Sequence, residues 1–201
     1  MVRFLTLLLA LSLSTSLFSQ LNVELLSTVE YNSDLNDIWH WVDEDTGIEY
    51  AIVGKRNGVS IVSLEDPNNA VEVADIPGQS STWRDMKTWG DWAYVTTDQG
   101  GTTDGLLVID MSQLPDAAPY YNWNPDFPSL GGVMNTCHNI YIDEFGYAYL
   151  AGCNVNNGGP LIIDVFSEPG VPQFVAACPP IYSHDVYARD NKLYSSEIYV
   201  G

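Results

Sequence analysis

Four short segments place polar side chains directly before or beside an apolar residue, where imidazole, carboxylate and guanidinium groups could act together. They contain Asp37, Arg84 with Asp85, His138 with Asn139, and His184 with Asp185. Two imidazoles among carboxylates are a donor set for a divalent metal ion, so His138 and His184 are the candidate metal ligands. Pairing with Arg84 would instead suit an anionic or sugar ligand.

The motifs of common enzymes are missing from the sequence. It contains no GxSxG turn, no HExxH pair, no glycine-rich phosphate loop and no GxGxxG segment. Two hypotheses remain for the polar positions. Either they form a ligand or metal site, or each Asp and Asn bonds the backbone of a neighbouring unit and each His is hydrogen bonded in place, because buried polar groups normally find partners.

These positions recur because the chain repeats. The anchors of the repeat are Asp37, Asp85, Asn139 and Asp185, at intervals of 48, 54 and 46 residues. The third strands are the clearest copies and lie at 58–63, 105–110 and 159–164. Four short strands per repeat, separated by turns, predict an all-β fold: a β-propeller of four-stranded blades with repeats of about 46–54 residues. The alternative is a small open β-sandwich.

A propeller places the first strand of each blade innermost, so the polar side chains are expected to face the central channel or its mouth. Propellers have about four to eight blades, whereas the chain has three full repeats and half of a fourth, which stops at 199–201. We therefore expect a fragment of a longer protein, with about three and a half blades. Residues 23–29 resemble a fourth strand and are predicted to complete the last blade.

The first twenty residues have the pattern of a secretory signal peptide. Arg3 precedes the apolar run 4–13, which is shorter than the roughly 20 residues that a membrane-spanning helix needs. The predicted boundaries are 1–20 for the signal peptide and 21–201 for the repeat domain. No second long apolar run follows, so we expect no transmembrane segment and a secreted or cell-surface protein.

The charge of the chain limits its partners. Asp and Glu number 26 against 7 Lys and Arg, which gives a formal net charge of −19. Nucleic acid binding needs a basic face and is excluded. Hydrophobic residues make up 46% of the chain, which is ample for a packed core, so the acidity belongs to the surface of a folded domain and attracts cations.

The order of several short motifs resembles a known family. The third strands look like LVIVD repeats, and the segments 36–39, 49–54, 81–85, 137–139 and 183–185 occur in the order of the exported choice-of-anchor B family. The resemblance implies a β-propeller-like domain on a secreted or surface-attached bacterial protein, anchored through a C-terminal segment missing from this chain. It implies no established catalytic activity. Cys137 departs from the family pattern, where a small residue is expected.

Three cysteines in an exported chain predict one disulfide and one remaining thiol. They are Cys137, Cys153 and Cys178, with neither CxxC nor Cys/His zinc spacing. The predicted pair is Cys153 with Cys178, since both should lie near the start of a third strand, and the family resemblance points the same way. The rival pair is Cys137 with Cys153, because the start of a first strand lies opposite the end of the second in a hairpin.

Two functions follow from these observations. The first is a non-enzymatic extracellular binding module for a protein or glycan partner. The second is an exported hydrolase or lyase that acts through the channel residues with a divalent cation as cofactor. The second function requires His138 and His184 to converge on one cation.

Overall fold

The computed structural model describes residues 23–200, so the predicted signal peptide at 1–20 lies outside the described residues. Within 23–200 the chain forms β-strands and three short 3-10 turns, and no α-helix. The strands are β1 (Leu35–Val42), β2 (Glu49–Lys55), β3 (Gly58–Ser63), β4 (Val71–Pro77), β5 (Met86–Trp89), β6 (Trp92–Val95), β7 (Leu106–Asp110), β8 (Tyr120–Trp123), β9 (Asp126–Phe127), β10 (Gly132–Val133), β11 (Asn139–Ile142), β12 (Tyr147–Ala151), β13 (Leu161–Asp164), β14 (Gln173–Ala177), β15 (Val186–Arg189) and β16 (Lys192–Ser195). The 3-10 turns lie at Pro67–Asn69, Pro128–Leu130 and Asn156–Gly158. Across this part of the chain, nothing forms a helix that is long and apolar enough to cross a membrane.

Three four-stranded antiparallel sheets follow one another along the chain. Sheet 1 is β1 to β4, sheet 2 is β5 to β8 and sheet 3 is β11 to β14, each in consecutive order. The remaining strands form two hairpins, β9 with β10 and β15 with β16. The prediction of an all-β chain with repeated four-stranded antiparallel units is therefore confirmed.

The first strands of successive units lie side by side. β1 contacts β5, β5 contacts β11, and β11 contacts β15. We call these four strands the first-strand row. Each of the three sheets begins at the row and continues outward in chain order. The anchors of the repeat lie at or near the starts of these strands and are thereby brought to one region of the molecule.

Sheet 2 is the middle layer, and its inner strands β6 and β7 are buried on both faces. Their side chains that cluster with sheet 3 are Tyr94, Leu106 and Val108, and those that cluster with sheet 1 are Ala93, Val95, Leu107 and Ile109. Successive side chains of a strand point to opposite faces, so a strand between two layers must be apolar at every position. This is why β7, the third strand of sheet 2, has an uninterrupted apolar run from Leu106 to Ile109.

Residues 23–29 do not form the predicted strand. They carry no secondary structure, and most of their side chains are exposed. A strand needs backbone hydrogen bonds to a neighbour, whereas this segment is held through Ser27. Its hydroxyl donates to Pro67 O at 2.8 Å and accepts from the Ala70 N–H at 3.3 Å. The segment is thus attached to the turn between β3 and β4.

Candidate functional site

A cavity of about 420 Å³ opens where the first strands meet. Six of the seven predicted site residues line it: Asp37, Arg84, Asp85, His138, Asn139 and Asp185. The seventh, His184, lies beside the cavity, with its ring centroid 4.1 Å from that of His138. The repeat therefore brings all seven polar side chains into one region.

Asp85 and Asn139 connect neighbouring units. The Asp85 carboxylate accepts a hydrogen bond from Asn139 Nδ2 at 2.5 Å and from the Ile140 N–H at 3.0 Å, both in sheet 3. The Asn139 Oδ1 atom accepts in turn from the Val186 N–H at 3.0 Å, at the start of β15. Each of these two anchors binds the backbone of the next unit, as the structural hypothesis for these positions requires.

Arg84 is used inside the protein. The residue is 2% exposed, and its guanidinium donates to three acceptors. Nε donates to Lys55 O at 2.9 Å, Nη1 donates to Thr97 Oγ1 at 2.8 Å, and Nη2 donates to Gln79 O. Burial lowers the pKa of Arg84, and the negative charge of Asp104 opposes that shift. The hydrogen bonds of the Arg84 guanidinium therefore hold the junction of sheets 1 and 2.

Asp37 and Asp85 are neighbouring carboxyl groups in the cavity wall. Burial and the hydrogen bond with Asp85 raise the pKa of Asp37. Asp85 is also held by Lys87, whose Nζ donates to Oδ1 at 2.8 Å. Two adjacent carboxylates repel each other, and a proton on one of them relieves the repulsion. Asp37 is the member of the pair with fewer fixed partners, so it is the one that we expect to take up the proton.

His138 and His184 are oriented in matching ways. His138 Nδ1 lies 2.6 Å from Asp98 Oδ2, and His184 Nδ1 lies 2.6 Å from Asp185 Oδ2. A carboxylate only accepts hydrogen bonds, so Nδ1 carries the proton in each neutral ring and Nε2 keeps its lone pair. The hydrogen bond to Asp98 raises the pKa of His138, and partial burial opposes this shift.

Trp39, Trp83 and Lys87 also line the cavity and were not predicted from the sequence. Lys87 Nζ lies 4.2 Å from the centre of the Trp39 ring, which is a cation–π contact. Trp83 is 56% exposed. The sequence could have indicated two of them. Residues two apart in a strand share a face, and Trp39 and Lys87 each lie two positions after an anchor, so both could have been predicted beside the anchor side chains.

The disulfide joins Cys137 and Cys153, so the predicted pair Cys153 with Cys178 is wrong. β11 and β12 pair with Asn139 opposite Ala151, which places Cys137 and Cys153, each two residues outward, opposite each other. Cys178 follows β14, which β13 separates from β12. Two strand spacings are about 9.5 Å, beyond the roughly 7 Å that a disulfide allows between Cα atoms. The free thiol is that of Cys178, and burial raises its pKa.

Residues 23–200 hold no group of three or more His, Cys, Asp or Glu side chains arranged to bind a metal ion. No protein-family model, curated protein or solved structure matches the chain. The shape and chemistry of the cavity are therefore the observations that bear on function.

Proposed function

We propose that the protein is a secreted or cell-surface β-propeller module that binds a saccharide in the cavity at the first-strand row. The observation that carries the proposal is Trp83, an indole 56% exposed at the wall of a cavity rich in hydrogen-bonding groups. A sugar ring has an apolar C–H face that can stack on an indole, and hydroxyl groups that donate to carboxylates. An exposed indole beside carboxylates matches both sides of such a ligand.

The order of the sheets supports the propeller arrangement. Each four-stranded sheet begins at the first-strand row and continues outward. Asp85 links sheet 2 to sheet 3, and Asn139 links sheet 3 to β15, through bonds of the same type. Radial repetition of linked four-stranded sheets is the design of a β-propeller.

Export is supported by two separate features. The pattern of residues 1–20 is that of a signal peptide. The disulfide between Cys137 and Cys153 belongs to a type of bond that persists in oxidising compartments. An exported protein would meet saccharides at the cell surface or outside the cell.

The charges favour a neutral or amino saccharide over a sulfated one. The chain has a net charge of −19, and Asp37, Asp85 and Asp185 line the cavity. Two cations of the cavity wall are already engaged: Lys87 bonds Asp85, and Arg84 bonds three groups inside the protein. An anionic ligand would therefore meet carboxylates before it met a free cation.

Binding is favoured over catalysis because several converging polar groups are occupied. Asp85 and Asn139 hold neighbouring units together, and Arg84 is buried. A general acid or base must be free to reach a proton of the substrate. These three residues therefore serve the shape of the cavity, and the exposed side chains around it are the ones that meet a ligand.

A glycan array that carries neutral, amino and sulfated oligosaccharides tests the proposal, followed by calorimetric titration of the best neutral or amino sugar. Trp83→Ala should weaken binding about tenfold or more, which corresponds to about 1.4 kcal/mol, because the stacking surface is lost. The matched control is Tyr194→Ala. Tyr194 is 57% exposed, lies on β16 and is outside the cavity lining, so its loss should leave the affinity unchanged.

Three results would contradict the proposal. If no neutral or amino saccharide binds, or if Trp83→Ala and Tyr194→Ala weaken binding equally, the cavity does not recognise sugars through its indole. A preference for sulfated oligosaccharides would overturn the argument from charge.

A further inference from the structure

The proposed function makes no use of the pair of imidazole rings beside the cavity. His138 and His184 occupy equivalent places 46 residues apart, each directly before an anchor, and their ring centroids are 4.1 Å apart. We propose that the Nε2 atoms of the two rings bind one divalent transition-metal ion, Zn²⁺ or Cu²⁺, with water completing its coordination. This site is independent of the saccharide proposal.

Both rings have the outer partners of metal-binding histidines. Each Nδ1 lies 2.6 Å from a carboxylate oxygen, that of Asp98 for His138 and that of Asp185 for His184. A histidine that binds a metal almost always donates its other N–H to a carboxylate, a carbonyl or water, which fixes the ring and makes the ligating nitrogen more basic. Here both rings are fixed in this way, and the same nitrogen is left on each.

The Nε2 atoms of both rings are not enclosed by the protein. Neither Nε2 atom makes a hydrogen bond within residues 23–200, yet that stretch has no buried side-chain nitrogen or oxygen without a partner. Both Nε2 atoms are therefore at least partly exposed, and no hydrogen bond to a protein group has to be broken for them to bind an ion.

The strand pairs β11 with β12 and β15 with β16 fix the backbone of both histidines in the absence of an ion. The His138 N–H donates to Ala151 O at 2.9 Å, and the His184 N–H donates to Ser196 O at 2.9 Å. Gly152, with φ of +63°, lets the chain pass close to His138, because a Cβ atom there would lie 2.7 Å from the Cβ of His138. Side chains positioned in advance lose little freedom when they bind.

The surrounding charges favour a cation, and the imidazole ligands favour one of intermediate softness. The carboxylates of Asp98 and Asp185 lie 2.6 Å from the two rings, and Asp85 lines the adjoining cavity, so the negative charges around the pair would attract a cation. Imidazole nitrogen suits zinc and copper, whereas calcium and magnesium prefer oxygen. Because the described chain offers no third His, Cys, Asp or Glu ligand, the remaining positions of the ion would be open.

Calorimetric titration of tag-free protein with Zn²⁺ and electron paramagnetic resonance with Cu²⁺ test the site. We expect one ion per chain and hyperfine coupling from two imidazole nitrogens. His138→Gln and His184→Gln should each abolish the two-nitrogen spectrum, and Asp98→Asn should lower metal affinity about 10- to 100-fold. His40→Gln is the matched control. His40 completes the three histidines of the chain, is exposed and lies outside the cavity lining, so its replacement should change nothing.

Several results would overturn the metal site. They are a spectrum with a single coupled nitrogen, metal binding that survives in both His138→Gln and His184→Gln, and metal binding that His40→Gln removes. The spectrum of the unaltered protein decides the matter even if a variant fails to fold. Saccharide binding is measured on metal-free protein, so the two proposals can fail separately.

Discussion

Arg84 and His138 hold the same place in successive units, directly before an anchor, yet their surroundings are opposite. Arg84 is buried and donates three hydrogen bonds inside the protein. His138 is half-buried, is paired through one nitrogen with Asp98, and keeps the other nitrogen open beside His184. A position in the repeat therefore does not by itself define a functional residue. The length of the side chain and the groups within its reach decide whether it joins two sheets or faces a ligand.

Replacing Arg84 with methionine should have the largest effect. Methionine fills much of the volume but leaves the acceptors of Arg84 and the buried Asp104 without their cation. Removing one partner from a buried charged network is expected to lower the free energy of unfolding by about 4 kcal/mol. Urea denaturation followed by circular dichroism measures the change.

Replacing His138, the equivalent residue of the next unit, tests the difference between the two positions. His138→Gln removes one partly exposed contact and should lower the free energy of unfolding by less than about 1 kcal/mol. Equal losses for Arg84→Met and His138→Gln would show that burial does not separate the two positions. Arg84→Lys keeps the charge without the planar fork and should fall between them.

The disulfide fixes the chain directly before His138, and its removal should have the next largest effect. Cys137 and Cys153 are 16 residues apart, and closing a loop of about this length stabilises a protein by about 3 kcal/mol in the chain-entropy model. Replacing both cysteines with alanine should lower the free energy of unfolding by this amount, measured by urea denaturation without reductant. Replacing both also prevents a new bond between Cys153 and Cys178.

Cys178→Ala is the control for the disulfide, because its thiol is free. It should cost less than about 1 kcal/mol, as a partly buried small side chain does. A peptide map without reductant that recovers Cys153 joined to Cys178 would contradict the pairing of Cys137 with Cys153.

The sequence predicts the parts of this molecule that depend on local pattern. The period of the apolar runs and the turns between them predict four-stranded units, and the regular spacing of the anchors predicts that Asp85 and Asn139 lie in one region. It does not predict what depends on contacts between units. The burial of Arg84 depends on groups from two sheets, and the exposure of Trp83 depends on which loops leave it uncovered.

The disulfide was mispredicted for a geometric reason. The pair Cys153 with Cys178 was predicted because both cysteines should lie near the start of a third strand. The distance between two cysteines, however, depends more on the order of their strands in the sheet than on where those strands end. Hairpin neighbours are one spacing apart and next neighbours are two. Local pattern also does not show whether a segment finds a neighbouring strand. Residues 23–29 have an apolar pattern that suits a strand, but the structure gives them no strand partner.

Asp37→Asn should have the smallest effect, and it should raise the free energy of unfolding where the other replacements lower it. Burial and Asp85 raise the pKa of Asp37, so the folded state binds this proton more tightly than the unfolded state does. The resulting stability is complete below the unfolded pKa of about 3.9 and is lost as the pH rises through the folded pKa. At pH 7 the ionised Asp37 therefore opposes folding, and asparagine should raise the free energy of unfolding by less than about 1 kcal/mol.

Urea denaturation at pH 7 and near pH 4 distinguishes an effect of the Asp37 charge from an effect of the substitution that does not depend on pH. The gain from Asp37→Asn should be present at pH 7 and shrink as the pH falls, whereas Asp185→Asn, which removes the partner of His184, should give no gain at pH 7. A loss of stability at pH 7 for Asp37→Asn, or a gain of equal size at both pH values, would contradict the assigned direction of the pKa shift. The expected result, a gain confined to neutral pH, would identify Asp37 as a side chain that the fold holds at an energetic cost. That is expected of a group that serves a ligand in the cavity more than it serves the fold, and it would set Asp37 apart from Arg84, whose hydrogen bonds join neighbouring parts of the fold.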